Sequence, residues 1–231
     1  MIKENVLKIR ERVSSACLRS NREPGQVVIV AVSKTRTVEQ IEEAVASGIT
    51  DIGENKVQEA LLKYKNFSAV ASGANRIKWH MVGHLQTNKA REAVGVFGLI
   101  HSVDSLRLAM AIDKEAARIK KVQDILVEVN TSGEAAKFGI RPDDAFGVVK
   151  EIARLKNIKI EGLMTIAPIV NKPEEARPYF RMLRELRDKI RQSAEAGCQL
   201  PVLSMGMTDD FEAAIEEGSN MVRIGRAIFG G

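Results

Sequence analysis

Apolar residues recur along this 231-residue chain in two alternating rhythms. From residue 2 to 20 they fall at steps of three and four (Ile2, Val6, Ile9, Val13, Ala16, Cys17), the spacing of one buried helix face. Asn21 to Gly25, with Pro24, ends that helix. The next run, Val27-Val-Ile-Val-Ala-Val32, is apolar and largely β-branched without interruption, as suits a parallel strand covered on both faces. Thr37-Val-Glu-Gln40 then has capping-box spacing and opens a helix that Gly48 closes. The same pair repeats: strand 51–54 with a helix from Lys56, strand 77–82 with helix 87–94, and strand 98–103 with helix 105–119. Further strands are expected at 124–129, 159–164, 202–204 and 221–224, and further helices at 142–155, 173–192 and 209–217.

Eight strands separated by helical segments predict an α/β fold, a (β/α)8 TIM barrel, as a single domain over residues 1–231. An open doubly wound sheet uses the same alternation, but eight nearly even units favour closure. Little chain follows the eighth strand, so the extra N-terminal helix is expected to fill the place of the missing last barrel helix.

Composition narrows the function classes. The longest apolar run, 27–32, is far below the roughly 18 residues of a membrane span. Charges interrupt the first ten residues, Met1-Ile-Lys-Glu-Asn-Val-Leu-Lys-Ile-Arg10, so no signal peptide is read and a cytoplasmic protein with no membrane partner is expected. Cys17 and Cys198 have no companions at metal-ligand spacing and read as reduced thiols. A net charge of +5 permits an anionic ligand. Basic residues interleave with acids, as in Arg184-Glu-Leu-Arg-Asp-Lys189, and aromatics are only 4%, which argues against nucleic acid. His80, His84 and His101 lack acidic or cysteine companions at ligand spacing, so no metal site is expected.

In such barrels chemistry gathers at the carboxyl ends of the strands. Lys34 follows the first strand on the face shared by Val28, Val30 and Val32. If that face looks inward, the amine sits in a partly dry mouth that favours its neutral, nucleophilic form, as Schiff-base chemistry needs. A lysine that snorkels into water is the bland alternative. After the seventh strand, Ser204 and Thr208 offer hydroxyls and Gly206 permits close backbone approach. After the eighth, Gly225 and Arg226 free amides for an anion, and together the two segments match the usual phosphate corner of barrel enzymes. Arg223 is a permanent charge among Met221, Val222 and Ile224. It either pairs with a carboxylate such as Glu54 or donates to a ligand at the barrel mouth.

With these segments in hand, the chain resembles the pyridoxal 5'-phosphate homeostasis protein family, whose barrel is similar to the N-terminal domain of bacterial alanine racemase. The carriers are Ala31-Val-Ser-Lys34-Thr, Gly53-Glu-Asn55-Lys-Val-Gln-Glu59, Trp79-His-Met-Val-Gly-His-Leu-Gln-Thr-Asn-Lys89, Val129-Asn-Thr-Ser-Gly-Glu134, Gly162-Leu-Met-Thr-Ile166, Ser204-Met-Gly-Met207 and Val222-Arg-Ile-Gly225. The resemblance implies that Lys34 forms an internal aldimine with pyridoxal phosphate. It implies that Ser204, Gly225 and the position of Arg226 hold the phosphate, that Arg223 faces the pyridine nitrogen, and that Asn55 lies near the ring. Arg226 stands where the family commonly has threonine, and Thr208 where serine is frequent. The implied role is buffering or delivery of the cofactor to apo-enzymes that receive it. The enzyme alternatives are a weak pyridoxal-phosphate-dependent amino-acid racemase or lyase and a Schiff-base aldolase. Tyr64 and Tyr179 both fall in helical segments, away from where an opposing acid would stand.

Overall fold

Val30 faces Asp51 on one side and Arg223 on the other, and this double pairing of the first strand closes the sheet. The computed structural model describes residues 1–70, 77–193 and 198–230. Residues 71–76, 194–197 and 231 of the expected 1–231 domain lie outside the described residues. The parallel strands, β1 (Val28–Val32), β2 (Asp51–Glu54), β3 (Lys78–Met81), β4 (Leu99–Val103), β5 (Gln123–Glu128), β6 (Ile158–Met164), β7 (Val202–Ser204) and β8 (Met221–Ile224), neighbour one another in chain order around a closed barrel. The expected TIM barrel is therefore formed.

Side-chain alternation along the strands divides the core in two. Val30, Val82, Leu99, Leu126, Met164 and Met221 fill the barrel interior, joined by Val28, Val32 and Val202. The alternate residues, among them Ala31, Ile52, Ile100 and Val222, pack outward under the helices. The face that leads to Lys34 is thus the inner one. Between β6 and β7 the strands approach so closely that a Cβ on Gly162 would lie 1.9 Å from the Val202 carbonyl oxygen, so that position admits only glycine.

Helices α1 (Ile2–Arg19), α2 (Val38–Ala46), α3 (Val57–Val70), α4 (Ala90–Val96), α5 (Leu106–Arg118), α6 (Pro142–Ile152), α7 (Arg177–Gln192), α8 (Phe211–Glu216) and α9 (Arg226–Phe229) run between and around the strands. The capping box that opens α2 is formed in both directions between Thr37 and Gln40. The six apolar residues predicted for the first helix are all buried on α1. That helix packs against α2, α8 and α9, and Asn5 donates to the Ile228 carbonyl at 3.0 Å. The last barrel helix is shortened to the four-residue α9 rather than missing, and α1 covers the wall beside it. The helices expected from residues 87 and 173 begin instead with 3-10 turns, Thr87–Lys89 and Pro173–Ala176.

Candidate functional site

Where β1 leaves the barrel, Ser33, Lys34 and Thr35 form a turn clamped on both sides of the lysine. The Ser33 hydroxyl donates to Glu54 Oε1, Lys63 Nζ donates to the Ser33 carbonyl at 2.6 Å, and the Thr35 amide donates to Glu59 Oε1 at 2.6 Å. Lys63 also bonds Glu54 at 2.7 Å and Glu59 at 2.8 Å, so one buried ammonium ties the flanks together. Thr35 takes a left-handed φ of 63°, which turns the chain sharply after Lys34. Lys34 itself is exposed. Of the two readings of this residue, the amine in a dry mouth and the lysine that reaches water, the exposure matches the second.

Lys34 opens onto a cavity of about 270 Å³ at the carboxyl ends of the strands. Asn55, Thr208, Arg223, Gly225 and Arg226 line the same cavity, so six of the eight residues expected at a site come together. Gly206 and Ser204 do not line it. Gly206 has φ 92°, and a Cβ there would meet Ala214 at 2.5 Å, so the glycine admits the close approach of α8. Ser204, expected on the phosphate, is fully buried at the carboxyl end of β7, with its hydroxyl bonded to Arg223 and His101.

Arg223 is only 4% exposed and forms no pair with Glu54, whose oxygen is taken by Lys63 and Ser33. Its Nη1 donates to the Ser204 carbonyl at 2.8 Å and hydroxyl at 2.7 Å, and its Nη2 to the Thr165 carbonyl at 2.8 Å. Burial lowers its pKa to about 10, with Asp210 and Glu128 opposing, so the guanidinium remains charged at neutral pH. Glu128 is raised to about 7, first by burial and then by Asp104, with Arg223 opposing. At the rim the added cation of Arg226 pairs with Asp209 at 2.6 Å, both side chains being exposed. The first turn of α9 leaves amide N–H groups with no intrahelical acceptor beside Gly225.

Sequence reasoning missed the supports of this site. The Lys63–Glu54–Glu59 cluster carries a faint signal, a Glu-x-x-x-Lys pair at residues 59 and 63, but Glu54 joins it only through the fold. His80 and His101, read from the sequence as offering no metal-ligand spacing, bond one another at 2.9 Å inside the barrel. Among the described residues no group of three or more His, Cys, Asp or Glu is placed to hold a metal ion, and no helix is long and apolar enough to cross a membrane.

Residues 2–231 match the family described as alanine racemase, N-terminal domain. The pyridoxal phosphate homeostasis protein of Aquifex aeolicus (strain VF5) is 43% identical over 227 residues, covering 98% of this chain and 96% of the relative. That of Escherichia coli (strain K12) is 34% identical over 232 residues, covering 99% and 96%. Among solved structures, PipY of Synechococcus elongatus PCC7942 with PLP bound superposes with a TM-score of 0.82 at 36% identity, covering 96% of this chain and 100% of that one. With the closed barrel and the strand-end cavity already in place, these likenesses show that the chain belongs to the pyridoxal phosphate homeostasis protein family.

Proposed function

We propose that residues 1–231 form one pyridoxal-phosphate-binding domain that buffers or delivers the cofactor in the cytoplasm. The observation that carries the reading is the convergence of an amine, Lys34, with a buried guanidinium, Arg223, and the Thr208, Gly225 and Arg226 segment on one cavity. The residues fit the group. Three of the five N–H groups of Arg223 are anchored by protein, which leaves two for a ring acceptor. Asn55 Oδ1 is buried without a hydrogen-bond partner, as an atom reserved for a ligand would be. Thr208 and the amides at the start of α9 suit a phosphate.

Bound there, pyridoxal phosphate supplies an electrophilic aldehyde and an electron-withdrawing ring. Lys34 would present its amine to that aldehyde from the rim of the cavity. The clamps on Ser33 and Thr35 would fix the reach of the amine, while the free N–H groups of Arg223 would hold the ring nitrogen and disfavour its protonation. A ring held in that state withdraws electrons weakly, which favours carriage over turnover. Tyr64 stacks edge-on against Trp79 and Tyr179 packs on the outer core, so neither tyrosine lines the cavity as an opposing acid. This supports carriage over racemisation.

Titration of cofactor-free protein with pyridoxal phosphate tests the reading. Wild type is expected to take up one equivalent per chain with a new absorption band, Lys34→Ala to lose the band, and neither to racemise or cleave amino acids at a useful rate. No uptake, or equal uptake by Lys34→Ala with the same band, would overturn it.

A further inference from the structure

Beneath the cavity, a line of polar side chains crosses the barrel from its upper to its lower end. Asp51 Oδ1 lies 2.8 Å from His80 Nε2, His80 Nδ1 2.9 Å from His101 Nε2, His101 Nδ1 3.0 Å from Ser204 Oγ, and Ser204 Oγ 2.7 Å from Arg223 Nη1. His80, His101 and Ser204 are fully buried. The roles assigned above give Ser204 and Arg223 one part each, but leave three consecutive groups without any.

The two ends fix where every proton lies. A guanidinium can only donate, so Ser204 Oγ accepts from Arg223 and its single hydrogen is left for His101 Nδ1. That nitrogen is therefore unprotonated, and a neutral His101 carries its hydrogen on Nε2, donating to His80 Nδ1. Neutral His80 must then carry its own hydrogen on Nε2, donating to the Asp51 carboxylate. The opposite direction would aim a bare nitrogen at a carboxylate and leave the Ser204 hydrogen without an acceptor. The charge states agree. Burial lowers the pKa of both histidines, although Asp51 opposes this at His80, while His80, Lys78 and Arg223 reinforce it at His101. Burial opposes the ionisation of Asp51, but hydrogen bonds from His80 and Thr50 outweigh it and hold the carboxyl below its usual range.

We propose that Asp51, His80 and His101 form a one-way hydrogen-bond relay that polarises Ser204 and locks the rotation of Arg223 toward the ring nitrogen of bound pyridoxal phosphate. They are positioning residues. The relay joins a cation at the cavity floor to an anion at the opposite end of the barrel, so that each donor strengthens the next. Its meaning for the cofactor rests on the function proposed above; its proton arrangement does not.

The chain has three histidines, so imidazole 15N spectra of the cofactor-free protein resolve the proton positions directly. At pH 7, His80 and His101, identified through His80→Gln and His101→Gln, are expected to be single neutral tautomers with hydrogen on Nε2. Hydrogen on Nδ1, or a doubly protonated ring, at either residue overturns the proposal. Asp51→Ala removes only the terminal acceptor and is expected to turn the single His80 tautomer into a mixture; an unchanged spectrum also overturns it. In protein loaded with pyridoxal phosphate, His101→Leu is expected to weaken binding roughly tenfold and shift the absorption band, because Ser204 loses its acceptor. His101→Gln, which retains one acceptor and one donor, should restore most of both. If the two variants merely melt at lower temperature while the band stays fixed, the residues are packing elements only. Absence of uptake by wild type would defeat the functional reading, while the tautomer spectra would still decide the relay.

Discussion

Replacing Lys63 by methionine tests whether the Lys34 turn depends on a buried charge pair. Lys63 Nζ gives its bonds to the Ser33 carbonyl, Glu54 and Glu59, while Glu54 is fully buried and its Oε2 has no partner. Methionine preserves most of the stem but strands the Glu54 carboxylate, for which removal of one partner of a buried pair costs about 3–5 kcal/mol. At about 2–4 °C per kcal/mol for a chain of this size, the melting temperature should fall by roughly 6–20 °C. The loss should depend on pH. Burial already raises the Glu54 pKa, against the Lys63 and Ser33 hydrogen bonds, and removing Lys63 raises it further. A folded-state pKa above the unfolded value gives stability that is complete below the unfolded pKa and lost as pH rises through the folded one. Lys63→Met should therefore be hurt more at pH 8 than at pH 5, and Glu54→Gln in the same chain should return much of the loss. Thermal melts of the three proteins at both pH values provide the assay. A fall of under 2 °C, or an equal fall at pH 5 and pH 8, would refute the reasoning.

Glu128, raised to about 7 chiefly by burial, should make the fold less stable as pH rises from the usual carboxylate range through about 7. Glu128→Gln should remove much of that slope, a difference on the order of 3 kcal/mol between pH 5 and pH 9 in urea unfolding; parallel wild-type and variant profiles would refute it. A Cβ on Gly83 would lie 2.4 Å from the Asn55 carbonyl oxygen, so Gly83→Ala should displace Asn55 and weaken cofactor uptake several-fold, roughly 1 kcal/mol, as a titration would show. Gly162→Ala, crowded against Val202, should cost about 2–4 kcal/mol in urea unfolding through the β6–β7 seam. Unchanged stability would place that seam wrongly.

The barrel was legible because strand and helix periods differ and alternate eight times in units of nearly even length. Alternation put Val28, Val30 and Val32 on one face with Lys34, and the packing of those valines in the barrel interior shows that the face is the inward one. Most of the cavity was legible for the same reason: polar residues at strand ends have one rim to share. What stayed hidden were partnerships set by strand register around the barrel. Arg223 could not be matched to Ser204 and Thr165 rather than Glu54 without knowing that Glu54 turns to Lys63. The three histidines offered no ligand spacing, and the meeting of His80 with His101 depends on β3 and β4 pairing with both rings inward. Alternation placed Lys34 at the barrel mouth but left open whether its amine is dry or in water, and its exposure is read only from the fold.

The central claim, that one particular amine holds the cofactor, is tested most directly by borohydride reduction of the protein loaded with pyridoxal phosphate, followed by peptide mapping. A single stable adduct is expected on the peptide that contains Lys34. A reduced adduct on another lysine, or none on protein that has taken up the cofactor, would contradict it.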